Sequence, residues 1–173
     1  KKVGLTKAAI YWYFPNKNAL VDEVARSIYD TYIGYIEKIS GSPLSSCEKL
    51  RRIVLGEEDT IQAALMCVFP IKFYLESYSE SHMVKTLIKN GYEKYNALIT
   101  AVLEEGIRNG EFQTCLPVSE LAKFITGAID GLAFQNLLVS SEKPEVPRFL
   151  LFSVLDCILT PIHPTPRKEV SND

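Results

Sequence analysis

The stretch Gly4-Leu5-Thr6-Lys7-Ala8-Ala9-Ile10-Tyr11-Trp12-Tyr13-Phe14-Pro15-Asn16-Lys17 leaves this chain few ways to fold. Gly4 supplies the permissive backbone of a tight turn. Thr6 carries a hydroxyl that caps a helix by accepting from an amide two or three residues further on. A short helix is therefore expected from about Lys7 to Phe14. Ile10 and Phe14 share one inward face, while Lys7, Ala8, Tyr11 and Trp12 lie on other sides of a helix too short to bury them all. Pro15 stops it, and Asn16 is placed to cap a second helix with Lys17 in its first turn.

A turn glycine, a hydroxyl cap, a basic residue, small residues, an aliphatic residue, Tyr-x-Tyr-Phe and then Asn-Lys-x-x-Leu together closely resemble the recognition-helix end of the tetracycline-repressor (TetR) family. Gly4, Thr6, Ile10, Tyr11, Tyr13, Phe14, Lys17 and Leu20 sit where that family places its turn, its cap, its core residues, its phosphate-contacting tyrosines and the lysine of the next helix. The resemblance implies an all-α fold: a helix-turn-helix DNA-binding head on a long connecting helix, followed by a helical ligand-binding and dimerisation domain. In the family, roughly thirty residues, a first helix and most of a second, come before this point. Lys1 is not an initiator Met, so the chain is expected to lack that part of its head.

Composition agrees with a helical globular body. The 173 residues suffice for a real core, and 47% of them are hydrophobic with 23% charged. Runs of alternating Val, Ile and Thr are nearly absent, which argues for helices. Net charge is −2, yet Lys1, Lys2, Lys7 and Lys17 have no acid among them. That local excess suits a nucleic-acid contact; on charge alone a solvated basic end fits equally. Lys1, Lys2, Thr6, Lys7, Tyr11, Tyr13 and Lys17 are the candidates for DNA contact, with lysines meeting phosphates and hydroxyls fixing register. Base reading falls to Lys7, Ala8 and Trp12.

Downstream, Leu20, Val21, Val24, Ile28, Tyr32, Tyr35, Ile36 and Ile39 recur at helical spacing, predicting one long amphipathic helix from Lys17 to about Ile39. Ser40-Gly41-Ser42-Pro43 ends it and is expected to divide residues 1–40, head plus connecting helix, from a ligand-binding and dimerisation domain over 44–163. A mobile tail over 164–173 is expected after that. Further helices are expected from Leu44 to about Leu55, with Leu50, Ile53 and Val54 inward and Lys49, Arg51 and Arg52 mostly outward. Others run from Ile61 to Phe69, His82 to about Asn109, Val118 to Val139 and Arg148 to about Leu159. Gly110 stands where a left-handed C-terminal cap belongs, and Glu105 to Phe112 resembles the family's turn before its last two helices.

Aromatics on helices around the middle of the body, Phe69, Phe73, Tyr74, Tyr78, Tyr92, Tyr95 and Phe124, are the candidates for a small-molecule pocket, with core packing as the alternative for each. Glu76, Lys94 and Asp130 offer charges that would select a polar ligand or simply face water. The last two helices carry the expectation of a homodimer. Phe149, Phe152, Leu155 and Leu159 give the final helix more apolar surface than one neighbour can bury. Phe124, Gly127, Ala128 and Gly131 leave the helix before it low enough for close approach, and a two-fold four-helix interface would cover both. Such a dimer sets two recognition helices about one DNA turn apart, matching a palindromic operator.

Several functions are excluded or disfavoured. Cys47, Cys67, Cys115 and Cys157 show no C-x-x-C spacing and read as reduced, buried thiols of a cytoplasmic protein. His82 and His163 have no partner at metal-site spacing, so no metal or other cofactor is expected. Pro70 and Asp156 interrupt the longest apolar runs, so no membrane partner is expected. No nucleophile–base constellation or phosphate-cradling loop appears, and no enzyme is expected. The resemblance therefore implies a DNA-binding transcriptional regulator, a repressor released by a small molecule that shifts the population of its forms. The alternative is a helical protein-interaction module that does not bind DNA.

Overall fold

The structure, a computed structural model, describes residues 12–55, 81–139, 153–156 and 159–161. Within them lie four helices, α1 (Lys17–Ser40), α2 (Ser46–Leu55), α3 (His82–Arg108) and α4 (Val118–Val139), and two very short strands, β1 (Phe112–Gln113) and β2 (Thr160–Pro161). Residues 153–156 form a helical turn inside the span expected for the last helix. The helix expected over 61–69 lies outside the described residues.

Each long helix begins and ends for a local reason. Asn16 caps α1 by accepting from Ala19 N–H at 2.9 Å, and Gly41 closes it, donating to Glu37 O at 2.9 Å. Ser81 caps α3, accepting from Val84 N–H at 3.2 Å. At its other end Gly110 has φ of 71°. From there Gly110 N–H reaches Ile107 O at 3.1 Å and Glu111 N–H reaches Gly106 O at 2.9 Å. These two bonds make a Schellman cap, satisfying carbonyls that the helix leaves open, and the positive φ is why glycine is there.

α3 is the central element, packed on α1, α2 and α4. One core joins Ile33, Ile36 and Ile39 of α1, Leu50 and Val54 of α2, Tyr95, Ile99, Val102 and Leu103 of α3, Leu121, Ile125 and Ile129 of α4, and Leu155 and Leu159. Tyr95 meets Tyr32 edge to face, ring centroids 5.2 Å apart and planes at 72°, an aromatic geometry contributing about 0.5–1.5 kcal/mol beyond area burial. A second, smaller cluster sits nearer the head, where Ala25 meets Val84 and Leu87, with Val21, Tyr29, Met83 and Ile88 around it.

Those two clusters place the connecting helix against the body along its length. Gly41-Ser42-Pro43 is a turn between two helices of one core, because the C-terminal half of α1 is already buried among body residues. The connecting helix is thus a wall of the body as well as the support of the head.

One smaller expectation also changes, and one feature was not expected. Lys49, expected outward, is 4% exposed, because its stem packs inward while Nζ reaches Glu105 at 2.8 and 3.0 Å. The antiparallel pairing of Phe112 with Pro161 and Gln113 with Thr160 had no sequence signal, being only two residues long on each side. It brings the end of the described chain to the α3–α4 turn and helps seat Phe112, which is 3% exposed, in the core.

Candidate functional site

At the head end, Trp12 and Tyr13 are 91% and 81% exposed and Phe14 is half-buried. Two large aromatics left in water beside Lys17, which is also exposed, form an outward aromatic and basic edge. Water-exposed Trp is uncommon unless the surface meets a partner. Lys1, Lys2, Thr6, Lys7, Ala8 and Tyr11 lie outside the described residues.

Among the described residues, the N-terminal half of α1 meets the start of α3 at a polar contact. Ser81 Oγ donates to Asp22 Oδ1 at 2.6 Å while accepting from Val84 N–H, so one hydroxyl both caps α3 and holds the head-bearing half of α1. Ser81 is 8% exposed, and Ala25, Val84 and Leu87 pack beside it.

In the body, the described members of the expected aromatic set do not share one space. Phe69, Phe73, Tyr74 and Tyr78 lie outside the described residues. Tyr95, at 2% exposure, is spent in the core against Tyr32. Phe124 is 48% exposed and stands on the side of α4 away from the core. Tyr92 lies between these extremes, on the α3–α4 seam, where its hydroxyl donates to Asp130 Oδ2 at 2.6 Å. One turn along the seam Thr126 Oγ1 reaches Asn96 Oδ1 at 2.8 Å, with Ala122 O as its second acceptor at 3.1 Å. Residues 92 and 96 of α3 thus face 130 and 126 of α4 in an antiparallel ladder. Burial pushes the Asp130 carboxyl above its ordinary pKa, opposed in part by the Tyr92 hydroxyl. The i, i+4 polar pairs are visible in the sequence, but nothing there distinguishes them from solvated positions.

The face of α4 opposite the core is apolar and open. Phe124, Phe134 and Leu138 are 48%, 40% and 70% exposed, Gly127 and Gly131 are exposed among them, and Ala128 is half-buried. A Cβ added at Gly127 or Gly131 would meet nothing within 4 Å. Leu155 and Leu159, expected at a dimer interface, are buried in the chain's own core at 1% and 8% exposure. Val154 and Asp156, on either side of Leu155, are the exposed residues of that turn. Phe149 and Phe152 lie outside the described residues.

Cys47 and Cys115 are exposed, against the expectation of burial, and Cys67 and Cys157 lie outside the described residues. Partial burial and the neighbouring Asp156, Glu111 and Glu48 push the Cys47 thiol above its ordinary pKa, which keeps it protonated and poorly nucleophilic. It borders a cavity of about 40 Å³ lined by Leu50, Glu111, Phe112, Leu155, Asp156 and Leu159. That volume accommodates water rather than an organic ligand. Among the described residues no His, Cys, Asp and Glu cluster could hold a metal ion, and no helix is long and apolar enough to cross a membrane.

Comparison with known proteins joins the two ends of this arrangement. The family model for the C-terminal domain of tetracyclin repressor-like proteins matches residues 54–147, and the model for bacterial regulatory proteins of the tetR family matches residues 1–24. The chain belongs to the TetR family. Among TetR-family relatives, it is 25% identical over 126 residues to the HTH-type transcriptional repressor KstR2 of Rhodococcus jostii. That match covers 70% of this chain and 59% of KstR2, so it spans less than two thirds of that relative's length. A TetR-family transcriptional regulator from Agrobacterium tumefaciens superposes with a TM-score of 0.73 at 19% identity, covering 91% of this chain and 82% of that one. The transcriptional regulator FadR of Bacillus subtilis, solved in complex with stearoyl-CoA, gives 0.63 at 21% identity, with 92% and 84% covered. These likenesses establish the TetR fold for the described helices, an all-α body built around α3.

Proposed function

We propose that this chain is a DNA-binding transcriptional regulator, a repressor that leaves its operator when a small molecule occupies its helical body. The observation that carries the reading is the family match over residues 1–24, which contains the recognition-helix pattern and ends on the outward edge of Trp12, Tyr13 and Lys17. Lysines of that segment would neutralise phosphates, and Lys7, Ala8 and Trp12 would read base edges in a major groove.

The regulator acts as a homodimer. The open face of α4, with Phe124, Phe134 and Leu138 around Gly127 and Gly131, supports a two-fold helical interface, with Val154 at its margin. A fold neighbour that holds stearoyl-CoA supports a body able to enclose a small molecule. Because α1 is shared between head and body, a ligand that favours one packing of α1 on α3 moves the two heads relative to each other. Operator affinity then falls by the ligand's preference for that form. Release of DNA from inside the cytoplasm, with no reaction catalysed, is the whole of this activity.

The test is selection of duplexes from a random pool by the intact protein, followed by footprinting. Enrichment of a palindrome with half-sites about one turn apart supports the reading. Recovery of unrelated duplexes by a properly folded dimer opposes it.

A further inference from the structure

We propose that Asp130, on the α3–α4 seam, is the recognition point for a protonated amine on a small-molecule ligand, with Tyr92 and Asn96 completing the subsite. The inference rests on the reading of the body as a small-molecule sensor, and it names the chemistry of what is sensed.

Three observations support it. First, the half-buried Asp130 is a carboxylate whose hydrogen-bond partner among the described residues is a neutral phenol, Tyr92, at 2.6 Å. A charge taken partly out of water without a cation is costly, and an incoming ammonium relieves that cost. Second, nearby lysines of the same two helices are engaged elsewhere: Lys94 with Glu37, Lys89 with Glu93 at 3.9 Å, and Lys123 with Glu120 at 2.8 Å. Third, Tyr92 is 44% exposed, so a cation arriving at Asp130 also meets an accessible aromatic residue.

Asn96 adds selectivity. Its amide lies one helical turn from Tyr92 and is held by Thr126, which is 3% exposed. The ladder therefore offers a charged acceptor and a neutral hydrogen-bonding group about 5–6 Å apart, the rise of one turn. A ligand with an amine and a second polar atom at that separation matches both. Burial raises the Asp130 pKa in the empty protein, and an ammonium at hydrogen-bond distance would lower it again.

The experiment uses the intact protein with benzylamine and its neutral counterpart benzyl alcohol at millimolar concentration, read by Tm and by NMR shifts of the Asn96 side-chain amide. Saturable binding of the amine, at least tenfold tighter than the alcohol, is the expected result. Asp130→Asn should remove that preference and Tyr92→Phe should weaken it several-fold, with helical circular dichroism unchanged. Equal response to amine and alcohol, or an Asp130→Asn variant that retains the preference, overturns the proposal. So does an Asp130→Asn variant that alters only dimer dissociation, because the carboxylate then serves a cation of the partner subunit. DNA binding is measured in parallel: a protein that binds the operator but ignores amines loses this subsite alone. One that binds amines through Asp130 but no DNA loses the regulator reading alone.

Discussion

Ser81 and Asp22, 59 positions apart, are joined by a 2.6 Å hydrogen bond where the head-bearing half of α1 crosses the start of α3. The same hydroxyl caps α3 through Val84 N–H. Ser81→Ala removes both bonds and should cost about 1–2 kcal/mol in urea denaturation. It should also change operator affinity more than a core substitution of equal cost, because on the proposed reading α1 carries the head. Ser81→Thr, which keeps the hydroxyl, should restore both. Loss of stability with unaltered operator affinity would reduce the contact to a cap.

Glu111 fixes the opposite end of the body. Its carboxylate accepts from Ser46 N–H and Cys47 N–H, each at 3.0 Å, capping α2 from 65 residues away. Burial acts to raise its pKa, but those bonds outweigh it and hold the carboxyl below its ordinary value. The folded pKa being depressed, this contribution to stability is present above the unfolded pKa and is lost as pH falls through the folded one. Glu111→Gln should cost roughly 1 kcal/mol at neutral pH, with the difference closing in acid. Denaturation curves of both proteins across the carboxylate range check it.

Asp130 has the opposite sign. Its folded pKa is raised by burial, so the folded chain holds that proton more tightly than the unfolded chain. Stability from this group falls as pH rises through the carboxylate range and then levels off. Asp130→Asn keeps an oxygen for the Tyr92 hydroxyl and removes the buried charge. The variant should therefore be more stable than the parent at neutral pH and match it in acid, as thermal unfolding at the two pH values will read.

Gly106 allows a close approach. A Cβ there would overlap the ring of Phe112 and stand 2.9 Å from Ser46 Cβ. Gly106→Ala should destabilise by about 1–3 kcal/mol through overpacking, despite alanine's better helix propensity. Gly34, whose added Cβ meets nothing within 4 Å, is the control, and Gly34→Ala should be neutral or stabilising.

The legible part of this fold is the part with period or punctuation. α1, α3 and α4 follow from apolar spacing, and two of their ends follow from Asn16 and Gly110, which act within one turn of themselves. Contacts between distant residues left no local trace. Lys49 reads as an outward lysine until Glu105 is beside it, and Leu155 reads as interface until the core reaches it. Tyr95 and Phe124 have similar aromatic content in the sequence, yet one is core and the other surface, because helix rotation decides which side each shows. The head was legible for a different reason: its residues match a family pattern, and the family model over residues 1–24 falls on that same stretch.

The most direct measurement is binding of the intact protein to its own upstream DNA as salt is raised, with Lys7→Ala, Tyr11→Phe and Trp12→Ala alongside. A regulator of this family should bind a palindromic site tightly and lose affinity steeply with salt. The slope should be shallower in Lys7→Ala, by about one phosphate contact. Affinity that ignores salt, or that is untouched by all three substitutions in a folded dimer, would contradict the assignment of this edge to DNA.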